Sequence, residues 1–318
     1  MGYGDSGPLD IQKMKILIAA VHWPVASGRY MRDAFRRLGV DVRTAGPLVG
    51  DGTEIWGIRV HPKHIWYPDY EVQPGGLLYI PPSWKPDLVL QMDTHMEYIG
   101  GWYPRAVNAI YSVDNHVRDL TTLGTDFDWY FMAHHDGPVM PVDENNPKHV
   151  WLPCAYDPLM CTPSPIPMAQ RTYDVAMVGV NYAARDEIVK ALRAAGLSVF
   201  AGMGLLYDDY AAIYHDARIS LCVSAAGDVA MRIFETAAMG CAILSGPCTD
   251  FSRLGFARNT HYAEFGPPAQ AVERAQWMLS TAGALDYIAN NGQAWTRPHT
   301  WDAHAQTIIE TVFGGGGK

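Results

Sequence analysis

Arg232 and Glu235 stand three residues apart in Asp228–Gly246, DVAMRIFETAAMGCAILSG, a stretch that reads as a helix, a tight turn at Gly240 and the start of a buried strand. Residues at this spacing are neighbours on a helix surface, so a guanidinium and a carboxylate can meet one ligand. The plain alternative is a surface ion pair, worth less than about 1 kcal/mol. Met231, Ile233, Phe234, Ala237, Ala238 and Met239 leave this helix little solvated face, which favours a cleft over open surface. A Gly just past the helix takes the left-handed turn that satisfies its last carbonyls.

A second group of reactive types sits at the ends of apolar runs in the first half. HWPVASG, following KILIAAV, supplies His22; PDLVLQMD ends at Asp93 and His95. NAIYSVDNH delivers Asp114, Asn115 and His116, and WYFMAHHDG delivers His134, His135 and Asp136. Histidine titrates near working pH, so His22, His95, His116 and His135, with Asp114, are candidates to take or orient a hydroxyl proton. Asp114 and His116 are favoured, because NAIYSV is strongly apolar and is expected at the centre of a sheet, which would place its end near the middle of the cleft. Each His could equally be bonded to a neighbouring loop carbonyl. No two His fall at helical ligand spacing with a third partner, so no metal site is expected.

The elements that must position these residues follow an alternating strand and helix pattern. KILIAAVHW, RYMRDAFRRLGV and DVRTAG read as strand, helix and strand, the opening of a doubly wound α/β sheet. The loop after the first strand is not GxGxxG, which argues against a dinucleotide site. Thr53 to Pro86 has no clear period and is either an acceptor-facing wall or a packed surface loop. Pro153, Pro158, Pro163, Pro165 and Pro167 forbid regular structure and mark an interdomain linker. The pattern then restarts with YDVAMVGVN, the helix ARDEIVKALRAAG, LSVFAGMG, DDYAAIYHDA and RISLCVS, and closes on helices through WDAHAQTIIETVF. The expectation is two Rossmann-like doubly wound domains facing each other across a cleft. They span residues 14–155 and 172–313, the second including the closing helix, with a linker at 156–171. Residues 1–13 are expected to be a disordered leader and GGGGK a flexible tail.

With 318 residues, 48% of them hydrophobic and 18% charged, the chain has the composition of a soluble two-domain protein. No apolar run approaches the roughly 18 residues of a membrane span, and no secretory signal is evident, so a cytoplasmic location is the default. Five scattered cysteines with no CxxC pair indicate neither disulfides nor zinc. A net charge of −9 does not favour nucleic acid as a partner.

The second half resembles the group 1 glycosyltransferase superfamily of GT-B fold, in particular its spore-maturation-like branch. The resemblance rests on YDVAMVGVNYAARDEIVKAL, YAAIYHDARISLCVS, MRIFETAAMGCAIL and the closing YIANNGQAWTRPHTWDAH, with DNHVRDL, DWYFMAHHDG and WLPCAYDP as weaker matches in the first half. It implies an enzyme that moves a sugar from a nucleotide-diphosphate donor, such as a UDP-sugar, onto an unidentified acceptor: a glycan, a small molecule or a modified nucleic-acid base. The donor is a co-substrate and no cofactor is implied. On the matched positions, Glu235 would hold the ribose hydroxyls and Arg232 the diphosphate. Gly179, Asn181 and Arg185 would face the phosphates, with Gly202 and Asp228 completing the donor site. Fixed donors and cations suit the charge that gathers on a diphosphate leaving group, and a carboxylate suits a diol. Transfer is expected to be metal-independent and retaining. Two departures leave the stereochemistry open: the acidic residue eight positions before the helix Glu is here Gly227, with Asp228 adjacent, and a diphosphate-binding Lys has no counterpart. A non-catalytic nucleotide- or glycan-binding protein, and a dinucleotide-dependent dehydrogenase or epimerase, are the competing readings.

Overall fold

The computed structural model describes residues 10–48, 54–55, 58–70, 72–73, 77–78, 81, 83–93, 103–180, 182–224 and 226–314. The expected leader before residue 10 and the tail beyond residue 314 lie outside the described residues, as do His95 and Asn181. The chain divides into two compact units, Met1–Pro153 with Trp301–Lys318, and Cys154–Thr300.

The first unit is built on a six-stranded parallel sheet. Its strands are β1 (Lys15–Ala19), β2 (Asp41–Ala45), β7 (Leu88–Asp93), β8 (Val107–Ser112), β9 (Trp129–Met132) and β10 (His149–Trp151), in the order β10-β9-β8-β7-β1-β2. Ile16, Leu17, Ile18 and Ala19 are all fully buried, as expected of a strand covered on both faces. Helix α1 (Ser27–Arg37) crosses from β1 to β2 and buries Tyr30, Met31, Ala34 and Phe35, an i, i+1, i+4, i+5 stripe. The sheet's order reverses between β1 and β7, so the ends of these two strands form the switch point where such sheets open a crevice. β8 is an interior strand, as its composition implies, but lies one strand away from that point.

The 53–86 stretch contributes two short antiparallel strand pairs, β3 (Glu54–Ile55) with β4 (Ile58–Arg59), and β5 (Val72–Gln73) with β6 (Leu77–Leu78). Its described core side chains pack inward. Trp66 and Trp84 are buried, Trp84 Nε1 donates to Asp41 Oδ2 at 2.8 Å, and the Asp69 carboxylate accepts from the Thr44 amide at 2.8 Å.

The second unit holds a five-stranded parallel sheet. Its strands are β11 (Tyr173–Val178), β12 (Val199–Gly202), β13 (Ala217–Cys222), β14 (Ala242–Ser245) and β15 (Tyr262–Glu264), in the order β12-β11-β13-β14-β15. Around it lie α2 (Ala183–Ala194), α3 (Asp208–His215), α4 (Met231–Ala238), α5 (Pro268–Ser280) and α6 (Ala284–Thr296). Here the order reverses between β11 and β13, which makes the loops after those strands the expected binding edge.

Three sequence expectations need correction. Helix α4 starts at Met231 rather than Asp228, because the Ser224 hydroxyl engages the Asp228 carboxylate and Gly227 takes φ +78°, which keeps 226–230 out of the helix. The proline-rich stretch 156–171 is part of the second unit rather than a free linker. The Ser164 amide donates to Met239 O at 3.1 Å, and buried Arg171 donates to the carbonyls of Ala217 at 2.9 Å and Gly240 at 2.8 Å. The last helix, α7 (Trp301–Phe313), belongs to the first unit, where its buried stripe Trp301, His304, Ala305, Ile308 and Ile309 finds its partner in α1. Trp301 stacks on Tyr30 with ring centroids 6.3 Å apart, and Arg37 pairs with Asp302 at 2.6 Å. Gly240 ends α4 at φ +77°, as its position implied.

Candidate functional site

In the second unit the charged groups collect at the carboxyl edge of the sheet. Arg232 lies in the first turn of α4 and Glu235 in the next, three residues on. The Glu235 carboxylate is buried and accepts a hydrogen bond on Oε2 from the Tyr210 hydroxyl at 2.7 Å. Burial raises the Glu235 pKa above the ordinary carboxylate value, while Tyr210's hydrogen bond and Arg232's charge pull the other way. Arg232 is half-buried, and its Nε is enclosed without a partner among the described residues. A guanidinium keeps its charge at any physiological pH, so an enclosed N–H without an acceptor is a place for an anion's oxygen.

Gly179 follows β11 and has φ +146°. A Cβ there would run into the Arg232 guanidinium, so only glycine lets the strand end and the arginine approach this closely. The Gly179 amide donates to Gly202 O at 2.9 Å, which ties the ends of β11 and β12 together. Helix α4 has Ala230 at its N-cap and no side-chain cap, leaving first-turn amides open to an acceptor.

Arg185 has a different setting from the one its motif suggests. Its Nε and Nη2 donate to Val223 O at 3.1 and 2.7 Å, and its Nη1 donates to Val180 O at 2.6 Å. These bonds hold together the loops that follow β11 and β13. Burial and then the neighbouring Arg232 charge lower its pKa, and its guanidinium lies 4.6 Å from the exposed Tyr182 ring. It contributes positive field while its donors are largely spent on the protein itself. Asp228 sits in the turn before α4, its carboxylate bonded to the Ser224 hydroxyl and its carbonyl accepting from Cys248 Sγ at 3.1 Å.

In the first unit, His22 lies past the end of β1, at the switch point, with its amide donating to Pro47 O at 2.8 Å. Its ring packs at 4.1 Å from Trp66, and both ring nitrogens are buried with no hydrogen-bond partner among the described residues. Burial lowers its pKa to about 4, so the imidazole is neutral at pH 7. Asp114 and His116 follow β8. The Asp114 carbonyl accepts from the amides of Val117 and Arg118 at 2.9 Å each, and the His116 ring meets His134 edge-on at 4.3 Å. Buried Asn115 donates to the carbonyls of His134 at 2.6 Å and Met140 at 2.8 Å, locking the β8 and β9 loops together. His135 is held between the Asp136 and Glu144 carboxylates at 2.8 and 3.0 Å.

The site residue that sequence reasoning missed is Tyr210. It lies 25 positions before Glu235, on another helix, and no local spacing links the two. What the sequence did hold was a pair of tyrosines, Tyr210 and Tyr214, four apart on helix α3.

Residues 167–310 match a family described as "Glycosyl transferase-like". No curated protein matches the chain in sequence. Among solved structures, HepE of Anabaena in complex with UDP and glucose is similar with a TM-score of 0.67 at 11% identity, covering 95% of this chain and 100% of that one. Sucrose-phosphate synthase from Thermosynechococcus elongatus gives 0.61 at 11% identity, covering 94% and 98%. An α-glucosyltransferase in complex with UDP and a 13-mer DNA containing an HMU base gives 0.60 at 8% identity, covering 94% and 99%. The chain therefore has the GT-B fold of two Rossmann-like domains, and its stretch 167–310 carries the match to the glycosyl transferase-like family.

Proposed function

We propose that the protein is a cytoplasmic glycosyltransferase that moves a sugar from a UDP-type nucleotide sugar to an acceptor hydroxyl, without a metal ion and with retention of configuration. The observation that carries this reading is the set at the edge of the second unit's sheet: an enclosed Arg232 N–H without an acceptor among the described residues, a buried Glu235 carboxylate, and Gly179, whose φ of +146° and close approach to Arg232 both favour glycine. The quoted MRIFETAAMGCAIL and YIANNGQAWTRPHTWDAH motifs support the spore-maturation-like branch of group 1 as its place within the superfamily.

In this reading the diphosphate lies against Arg232 and the open first turn of α4, with Gly179 and Gly202 lining its path. Glu235 accepts the ribose hydroxyls. As the bond between the sugar's anomeric carbon and the phosphate oxygen breaks, its electron pair passes to the diphosphate, whose charge Arg232 and the helix amides stabilise. The acceptor oxygen then bonds to the anomeric carbon on the same face. Its proton goes to the departing phosphate oxygen, or to a group of the first unit that orients it. Asp228, already bonded to Ser224, would shape the loop beside the sugar.

Two groups of the first unit are offered for the acceptor, Asp114 with His116 after β8, and His22 at the switch point. Neutral His22 can accept a hydroxyl's hydrogen bond, but a pKa of about 4 makes it a weak proton acceptor, which favours orientation over base catalysis. Asp114→Asn, His116→Ala and His22→Ala are expected to lower transfer by about 100-fold, the low end for a positioned proton-transfer group, with donor binding unchanged. Near-normal transfer in all three would leave the departing phosphate as the group that takes the proton.

The proposed activity is tested by following UDP release from a panel of UDP-sugars with EDTA present throughout. Turnover undiminished by EDTA is the expected result. Loss of turnover on chelation, restored by Mg²⁺ or Mn²⁺, would overturn metal independence; absence of nucleotide binding and of turnover across the panel would overturn the reading itself.

A further inference from the structure

Tyr210 is the third residue of α3, whose N-cap Tyr207 is a non-glycine residue at φ +50°. Backbone held in so sparsely populated a region costs on the order of 1–3 kcal/mol and persists where the surroundings impose it. The strain lies at the entry to the helix, three residues before the tyrosine. Tyr210 also packs edge-on against Tyr214 at 4.8 Å, and the Tyr214 hydroxyl in turn accepts from the Val178 amide at 3.0 Å, next to Gly179. The tyrosine that reaches Glu235 is thus fixed from two sides, by the start of α3 and by the end of β11.

The consequence falls on the carboxylate. Glu235 has three rotatable bonds and would lose that freedom on gripping a ligand. Here the Tyr210 hydroxyl holds Oε2 at 2.7 Å, while Oε1 takes no hydrogen bond among the described residues. The hydroxyl also favours the ionised carboxylate, offsetting part of the burial that raises its pKa. We infer that Tyr210 is a positioning residue for nucleotide recognition: it holds the Glu235 carboxylate oriented with Oε1 available, so that the site selects a ribose over a 2′-deoxyribose. This inference rests on the reading of Glu235 as the group that holds the ribose.

The ratio of UDP to 2′-deoxy-UDP affinity, measured by calorimetry from pH 5 to pH 8, tests it in the wild type and in Tyr210→Phe, Glu235→Gln and Tyr210→Ala. Tyr210→Phe keeps the ring and its packing and removes only the hydroxyl. It is expected to weaken UDP binding roughly tenfold, the scale of one hydrogen bond to a charged group. The preference for UDP over 2′-deoxy-UDP should fall with it, and the acid limb of UDP binding should move to higher pH. A purely structural tyrosine would change stability and leave the preference and the acid limb where they were. If Glu235→Gln loses the preference while Tyr210→Phe keeps it, the positioning role is wrong and the ribose reading of Glu235 stands. If Glu235→Gln keeps the wild-type preference, the ribose reading itself fails, and the inference with it. Absence of UDP binding in the wild type would also overturn both. Tyr210→Ala should reproduce the Tyr210→Phe loss of preference, with a further loss of stability from the missing ring.

Discussion

Arg232→Ala is expected to weaken donor-nucleotide binding by roughly ten- to a hundredfold, or about 1.5–3 kcal/mol, with little loss of stability. The side chain is enclosed against Gly179, and among the described residues its Nε has no partner and its guanidinium makes no ion pair. Removing it breaks no direct hydrogen bond, although it withdraws a charge that offsets part of the burial of Glu235. Glu235→Ala should weaken binding to a similar degree but also destabilise, because it leaves the Tyr210 hydroxyl without its acceptor. Calorimetry with UDP beside thermal unfolding separates the two effects. Full donor affinity in both variants would remove the nucleotide site from α4.

The pH dependence of the two quantities should run in opposite directions. Glu235's pKa is raised in the folded protein, so the stability linked to its protonation is fully present below the unfolded carboxylate value and is lost as pH rises through the folded value. Nucleotide binding needs the anion, and therefore falls as pH drops through the same folded value. The apo protein thus gives up stability to keep a charged carboxylate in the site at neutral pH. Glu235→Gln should flatten this part of the stability profile.

How far the site could be read from the chain depends on what kind of information each residue's role requires. Arg232 and Glu235 were legible because one helical turn fixes their separation whatever surrounds them. The alternating strand and helix pattern and its two-sheet outcome were legible for the same reason, since apolar runs such as KILIA and YDVAMV declare strands buried on both faces. The setting of Arg185 was not legible, because its motif gives the residue type and not the destination of its donors, which go to Val180 and Val223. Tyr210 was invisible because its meaning is a tertiary distance. The start of α4 was placed three residues early, since the polar residues that open the stretch do not reveal the bond that ties Asp228 to Ser224.

The last helix makes the same point about packing and leads to the largest expected effect on stability. The stripe Trp301, His304, Ala305, Ile308 and Ile309 announces an amphipathic helix, but periodicity names no partner. Proximity in sequence suggested the second unit, whereas the helix packs on α1 in the first. Trp301 is fully buried there, stacked on Tyr30 and meeting Tyr111 of β8 edge-on at 5.8 Å, and His304 bonds Pro153 O at 2.7 Å one turn later. Trp301→Ala empties the largest fully buried side chain among the described residues and should cost about 3–5 kcal/mol, because a cavity of that size cannot close without moving both α1 and β8. On a unit of this size the loss corresponds to a fall in melting temperature on the order of 10 °C. Hydrogen exchange locates it: protection should fall in α1, β1 and β8 and stay near the wild-type level in β11, β13 and α4. Exchange that rises instead within Cys154–Thr300 would return the helix to the second unit, where the sequence alone had put it.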